Sequence, residues 1–152
     1  MNFQNMKILP AFVAVISGVI LCNLIIYVTG YLAAITIPKE YFLWFGKAHI
    51  TMSLIILDAI IIALPRLITT TFFCICTILI LRQHYLFTLL WCFAGYILAQ
   101  AYWDFKFNLD FDYMTLFVQQ PWAILSIIAP PCGILLAGIF FNKFHRVKAL
   151  AI

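Results

Sequence analysis

The sequence predicts an all-α integral membrane protein, a four-helix transmembrane bundle, and three observations carry that expectation. Of its 152 residues 66% are hydrophobic and 9% charged, a balance found in chains whose solvent is lipid. Four apolar runs each reach the roughly 20 residues that a helix needs to cross a bilayer. The polar connections between them are too short to hold a soluble core, so residues 1–152 are expected to form one transmembrane domain.

The first span is expected over residues 8–37, after a polar leader from Met1 to Lys7. Its apolar run is longer than a secretory signal core and than the roughly 20 residues a perpendicular helix needs, so it should be retained and tilted. Asn23 stands near its middle and bonds either another helix or its own backbone. Pro38 ends it, and Lys39, Glu40, Tyr41 and Trp44 have the make-up of an interfacial turn.

The second span, residues 42–64, contains the stretch His49–Leu64, a mainly apolar run interrupted by one acid, Asp58, the one carboxylate inside a hydrophobic segment. A carboxylate at membrane depth costs a few kcal/mol even on lenient insertion scales, so it calls for a partner. Lys47 can snorkel at one end. Pro65 and Arg66 are expected to break the helix, with Thr69–Thr71 in the connection that follows.

The third span is placed over residues 72–103 as one tilted helix. Arg82, Gln83 and His84 interrupt its apolar run, but no Gly, Pro, Asn, Asp or Ser occurs between Phe72 and Phe93 to make a turn there. A turn at 82–84 would give five spans, the alternative. On the four-span plan Asp58 lies about 12 Å before Arg66 and Arg82 about 15 Å into the next helix. Asp58, Arg82 and His84 are therefore the expected buried charge cluster.

From Asp104 to Tyr113 polar and apolar residues alternate, the pattern of a strand or of an aromatic segment lying along the headgroups. Asp104, Asp110 and Asp112 make this loop acidic. Without the glycine and terminal glutamate of an EF-hand it is not expected to bind metal. The last span covers residues 122–141, opened by Pro121 and Trp122. Pro130 and Pro131 remove two donors and should kink it. Ala129, Gly133 and Ala137 form a small-residue stripe suited to close contact with another helix.

With four spans, five bases (Lys7, Arg66, Lys143, Arg146, Lys148) face three (Lys39, Lys47, Lys106), so the positive-inside rule puts both termini in the cytoplasm and the chain in the inner (plasma) membrane. The tail residues Lys143, His145, Arg146 and Lys148 suit anionic lipid or a cytosolic partner. No basic soluble face exists for nucleic acid. The five cysteines, Cys22, Cys74, Cys76, Cys92 and Cys132, all sit in apolar runs, so they are expected to pack as small hydrophobes. Their placement also sets the chain apart from four-helix membrane thiol oxidases, which need cysteine pairs in exported loops.

No catalytic constellation, phosphate-cradling loop or cofactor motif is present, which points to a non-enzymatic protein. In size, four-span plan and cytoplasmic termini the chain resembles bacterial toxin-immunity proteins and membrane subunits of phage-defence systems. The resemblance implies a protein that self-assembles as a homo-oligomer or binds a partner. The alternatives are an ion channel, holin-like pore or small transporter using Asp58, Arg82 and His84, and an accessory subunit of a larger membrane complex.

Overall fold

The computed structural model describes residues 5–33, 39–45, 49–81, 84–106 and 124–150. They form five helices: α1 (Asn5–Ala33), a short α2 (Lys39–Phe45), α3 (Ile50–Leu81), α4 (Tyr85–Lys106) and α5 (Ile124–Leu150). Four are long and apolar enough to cross a membrane, over Ile8–Leu32, Ile50–Leu81, Tyr85–Lys106 and Ile124–Lys143. The chain is a multi-pass four-helix bundle, with no strand among the described residues. Asp104 falls in the last turn of α4, and residues 107–113 of the alternating segment, with Asp110 and Asp112, lie outside the described residues.

Two boundaries differ from the sequence expectation, and they offset each other in the span count. Pro65 does not break the second span. It lacks the N–H that would bond one turn back, and its ring crowds that turn. The helix responds by opening: Asp58–Ala63 is a π turn, with Leu64 N–H reaching back five residues to the Ala59 carbonyl, and regular α-helix resumes over Leu64–Leu81. Such one-turn widenings absorb an insertion or a proline without ending a helix. Conversely, residues 72–103 are not one helix, because α3 ends at Leu81 and α4 begins at Tyr85. The count stays at four since the break moves from Pro65 to the next polar cluster.

The bundle is built from two parallel pairs. Along α1 and α4 the contacts rise together in number. A Cβ placed on Gly95 would overlap the Val15 carbonyl, and one on Gly18 would overlap that of Cys92. Cys22 Sγ donates to Gln100 Oε1 at 3.8 Å, and Trp103 Nε1 to Asn23 Oδ1 at 3.2 Å. Ala14, Gly18 and Cys22 on one helix, with Cys92, Gly95 and Ala99 on the other, are all buried. Small side chains at spacing four let two backbones touch, which is how helices associate when lipid removes the hydrophobic driving force.

The other pair is α3 with α5. A Cβ on Gly133 would sit 2.8 Å from Thr70 Cβ, and Thr71 Oγ1 donates to the Gly133 carbonyl at 3.3 Å. Ala129 and Ala137, one turn to either side of Gly133, are buried as well. The small-residue stripe of the last span is thus filled by the chain's own second span. Between the pairs Leu21, Ile25, Cys74, Ile78, Leu89, Cys92, Ile134 and Ala137 form one apolar core. Pro130 and Pro131 lie inside α5, which continues through them.

Candidate functional site

At membrane depth a charged or strongly polar side chain either has a partner or marks a function. The polar groups of this bundle gather where α1 ends, α5 begins and α3 opens into its π turn. Asp58 starts that turn and is 7% exposed. Its carboxylate accepts hydrogen bonds from the backbone N–H and the hydroxyl of Ser126, a buried residue in the first turn of α5. The first four N–H groups of any helix lack an intrahelical acceptor, and the helix dipole favours negative charge there. Asp58 therefore caps α5 from another helix.

The counter-charge is Arg66. Its guanidinium donates through Nε to Thr29 Oγ1 at 2.9 Å and through a terminal nitrogen to the Ser126 carbonyl at 3.1 Å. Thr29 in turn donates to the Ile25 carbonyl at 2.7 Å. Ser126 is thus held from both sides, its N–H and hydroxyl by the acid and its carbonyl by the base. One network ties α1, α3 and α5, and Asp58 and Arg66 interact through space across it.

The π turn explains why these two residues share a face. Eight residues of regular α-helix rotate a side chain about 80° past full turns, whereas absorbing one extra residue brings that to about 20°. Pro65 and the Asp58–Arg66 spacing are therefore one device. Within this network one side-chain atom, Asp58 Oδ2, is buried with no hydrogen-bond partner.

A second polar strip runs between α1 and α4. Gln100 Nε2 donates to Asp104 Oδ1 at 3.0 Å, below the Cys22 thiol that bonds its Oε1. Asn23 takes both of its expected roles, accepting from Trp103 and donating to the Val19 carbonyl at 2.8 Å. Lys106 stands over the Trp103 ring, 4.8 Å from its centroid, and Tyr27, Tyr31 and Tyr102 are exposed at the same end. Such rings and a snorkelling lysine mark the edge of the hydrocarbon layer.

Of the residues singled out from sequence, Asp58 is central. His84 is not with it: exposed between α3 and α4, it stacks on Tyr85 with ring centroids 5.1 Å apart. Arg82 lies outside the described residues; Leu81, its chain neighbour, is about 35 Å up the helix from Asp58 at 1.5 Å per residue. Lys143 is exposed on α5, and His145, Arg146 and Lys148 fall in its last turns, their side chains outside the described set. Cys74 and Cys76 point to different sides, the first fully buried and hydrogen-bonded to Cys92, the second partly exposed.

Arg66, Ser126 and Thr29 were missed from sequence. Arg66 looked like a boundary residue because Pro65 looked like a stop. The available signal was an acid and a base eight residues apart on one apolar run with a proline between them. Fold and site define a multi-pass helical membrane protein with a capped, charge-compensated polar network at one end of its bundle. Comparison of the chain with protein-family models, with curated proteins and with solved structures gives no match in any of the three.

Proposed function

We propose that this is a non-enzymatic multi-pass protein of the inner membrane that acts by association, with a second copy or with a protein partner, in the manner of toxin-immunity proteins or phage-defence membrane subunits. The supporting observation is the second span. In its most apolar window 17% of residues are buried inside the chain, against 28–33% in the other three spans. The half from Ile50 to Ala63 buries Ser53, Asp58 and Ala63 while Ile50, Met52 and Ile60 stay exposed, as do Leu43 and Trp44 of α2 beside it. Tyr41 holds α2 against this half through the Ser53 carbonyl at 2.9 Å. The ionisable pair fixes this helix inside the bundle and leaves its outer face apolar and unspent.

The helix boundaries support cytoplasmic termini. Among the described residues, Lys7, Lys143, Arg146 and Lys148 lie on the side of the termini, and Lys39 and Lys106 on the other, together with Glu40 and Asp104. With Arg66 inside the second span, the positive-inside balance among the described residues stands at four to two. The association role is tested by mild-detergent purification of tagged and untagged copies co-expressed. Co-purification that Met52→Lys or Ile60→Lys abolishes supports it. A strictly monomeric chain that recovers no partner, with those variants unchanged, contradicts it.

A role in moving protons or ions is the second proposal, and the unmatched Oδ2 of Asp58 favours it. A buried carboxylate oxygen without a donor is a place for a proton, a cation or water. Proteoliposomes that dissipate a proton gradient, and lose that activity with Asp58→Asn, would support it; tight vesicles would count against it.

A further inference from the structure

Between α4 and α5 the bundle surface opens into a slot of about 560 Å³. Leu89 and Phe93 form one wall, Pro131 and Ile134 the other, and Gly138 the floor. A side chain there would shorten the space above Leu89, whose Cδ1 lies 3.1 Å from where a Cβ would stand. Two polar residues line the slot, Tyr85 and Asn142. Since α4 and α5 run antiparallel, the first residue of one and a late residue of the other mark the same end. The slot is thus an apolar channel with a polar mouth.

That mouth is also where positive charge collects. Exposed Lys143 follows Asn142, and exposed His84 stacks on Tyr85. Among the described residues, that side of the bundle holds Lys7, Lys143, Arg146 and Lys148 and no acid. The slot runs from Tyr85 to Phe93 and from Asn142 back to Pro131, about 12 to 16 Å at 1.5 Å per residue. That is about half of the ~30 Å hydrocarbon core, the depth of one leaflet. Basic mouths between transmembrane helices on the cytoplasmic side recognise anionic headgroups.

We propose that this slot is a binding site for one acyl chain of an anionic glycerophospholipid, whose phosphate is held at the mouth by Lys143 and Asn142. The site is independent of the association role and stands or falls separately. Full-length protein, stripped of lipid in detergent, is titrated with phosphatidylglycerol, phosphatidylcholine or glycerol phosphate, and bound lipid is counted by native mass spectrometry. Phosphatidylglycerol should bind saturably and at least about tenfold more tightly than phosphatidylcholine, a difference of about 1.4 kcal/mol, and glycerol phosphate should not displace it. Lys143→Gln should erase the preference between the two lipids. Gly138→Leu should abolish saturable binding of both; if that variant does not fold, Leu135→Phe, at an exposed lining position, should do the same from the lipid side. Equal binding of the two lipids to the unaltered chain, displacement by glycerol phosphate, or unaltered binding by the slot-filling variants would overturn the proposal.

Discussion

Asp58, on the second span, caps the fourth by taking the backbone N–H and hydroxyl of Ser126, while Ser126 gives its carbonyl to Arg66 at 3.1 Å. One serine thus stands between an acid and a base that never have to touch. An arrangement of this kind compensates both charges and satisfies the otherwise free first turn of α5. It also fixes where three helices sit along one another, since a slip of one turn would leave each group unpaired.

Removing the hydroxyl alone should be mild. Ser126→Ala keeps the N–H and the carbonyl, so unfolding in detergent should become easier by about 1 kcal/mol. Asp58→Ala uncaps the helix and strips Arg66 of its counter-charge, and should cost about 3 kcal/mol. Equal losses for the two would mean that the carboxylate does no more than the hydroxyl it bonds.

Arg66 reaches Thr29 and Ser126 with two nitrogens at once, a fork that lysine lacks. Arg66→Lys should therefore destabilise by about 1 to 2 kcal/mol, despite keeping the charge. Thr29→Val should cost less, about 1 kcal/mol, since it removes one arm of the fork. Thermal midpoints in a single detergent give the ranking, and a lysine variant as stable as the parent would count against the fork.

Close approach predicts where size is forbidden. Gly95→Leu should push α4 off α1, because even a Cβ there meets the Val15 backbone, and overpacking of this kind costs about 1 to 3 kcal/mol or more. Gly30, with nothing within 4 Å of its missing Cβ, is the control. Gly30→Leu should leave stability within about 0.5 kcal/mol.

The connection between α3 and α4 should be wet. His84→Cys, in a chain whose native cysteines are replaced, should react with a membrane-impermeant maleimide from the same side as a tag on either terminus. Arg66→Cys should stay unlabelled until the membrane is dissolved. Labelling of His84→Cys from the opposite side would require an odd number of spans between it and the tag.

Class and span number were legible because they depend on sums over many residues: 66% apolar composition and runs long enough to cross lipid. Asp58 was legible because one acid in an apolar run is costly wherever the helices lie. Its partner was not, because that depends on a single backbone event. Read as a stop, Pro65 sends Arg66 to the interface and hands the role of counter-ion to Arg82. Absorbed by a π turn, the same proline keeps Arg66 in the helix and turns it toward Asp58. The missing glycine and proline near Arg82 misled in the opposite direction, since α3 ends at Leu81 and α4 begins at Tyr85 without them. The stripe of Ala129, Gly133 and Ala137 was legible as a pattern but its occupant was not: Gly133 meets Thr70 of the chain's own second span.

The most direct measurement is a double-mutant cycle between Asp58→Asn and Arg66→Gln, read as unfolding free energy in one detergent. If the two residues work through Ser126 as one network, the double variant should lose less than the sum of the singles, with a coupling of about 1 kcal/mol or more. The same cycle with Arg82→Gln in place of Arg66→Gln should be additive. Additivity for Asp58 with Arg66, or coupling that appears with Arg82 instead, would contradict the account.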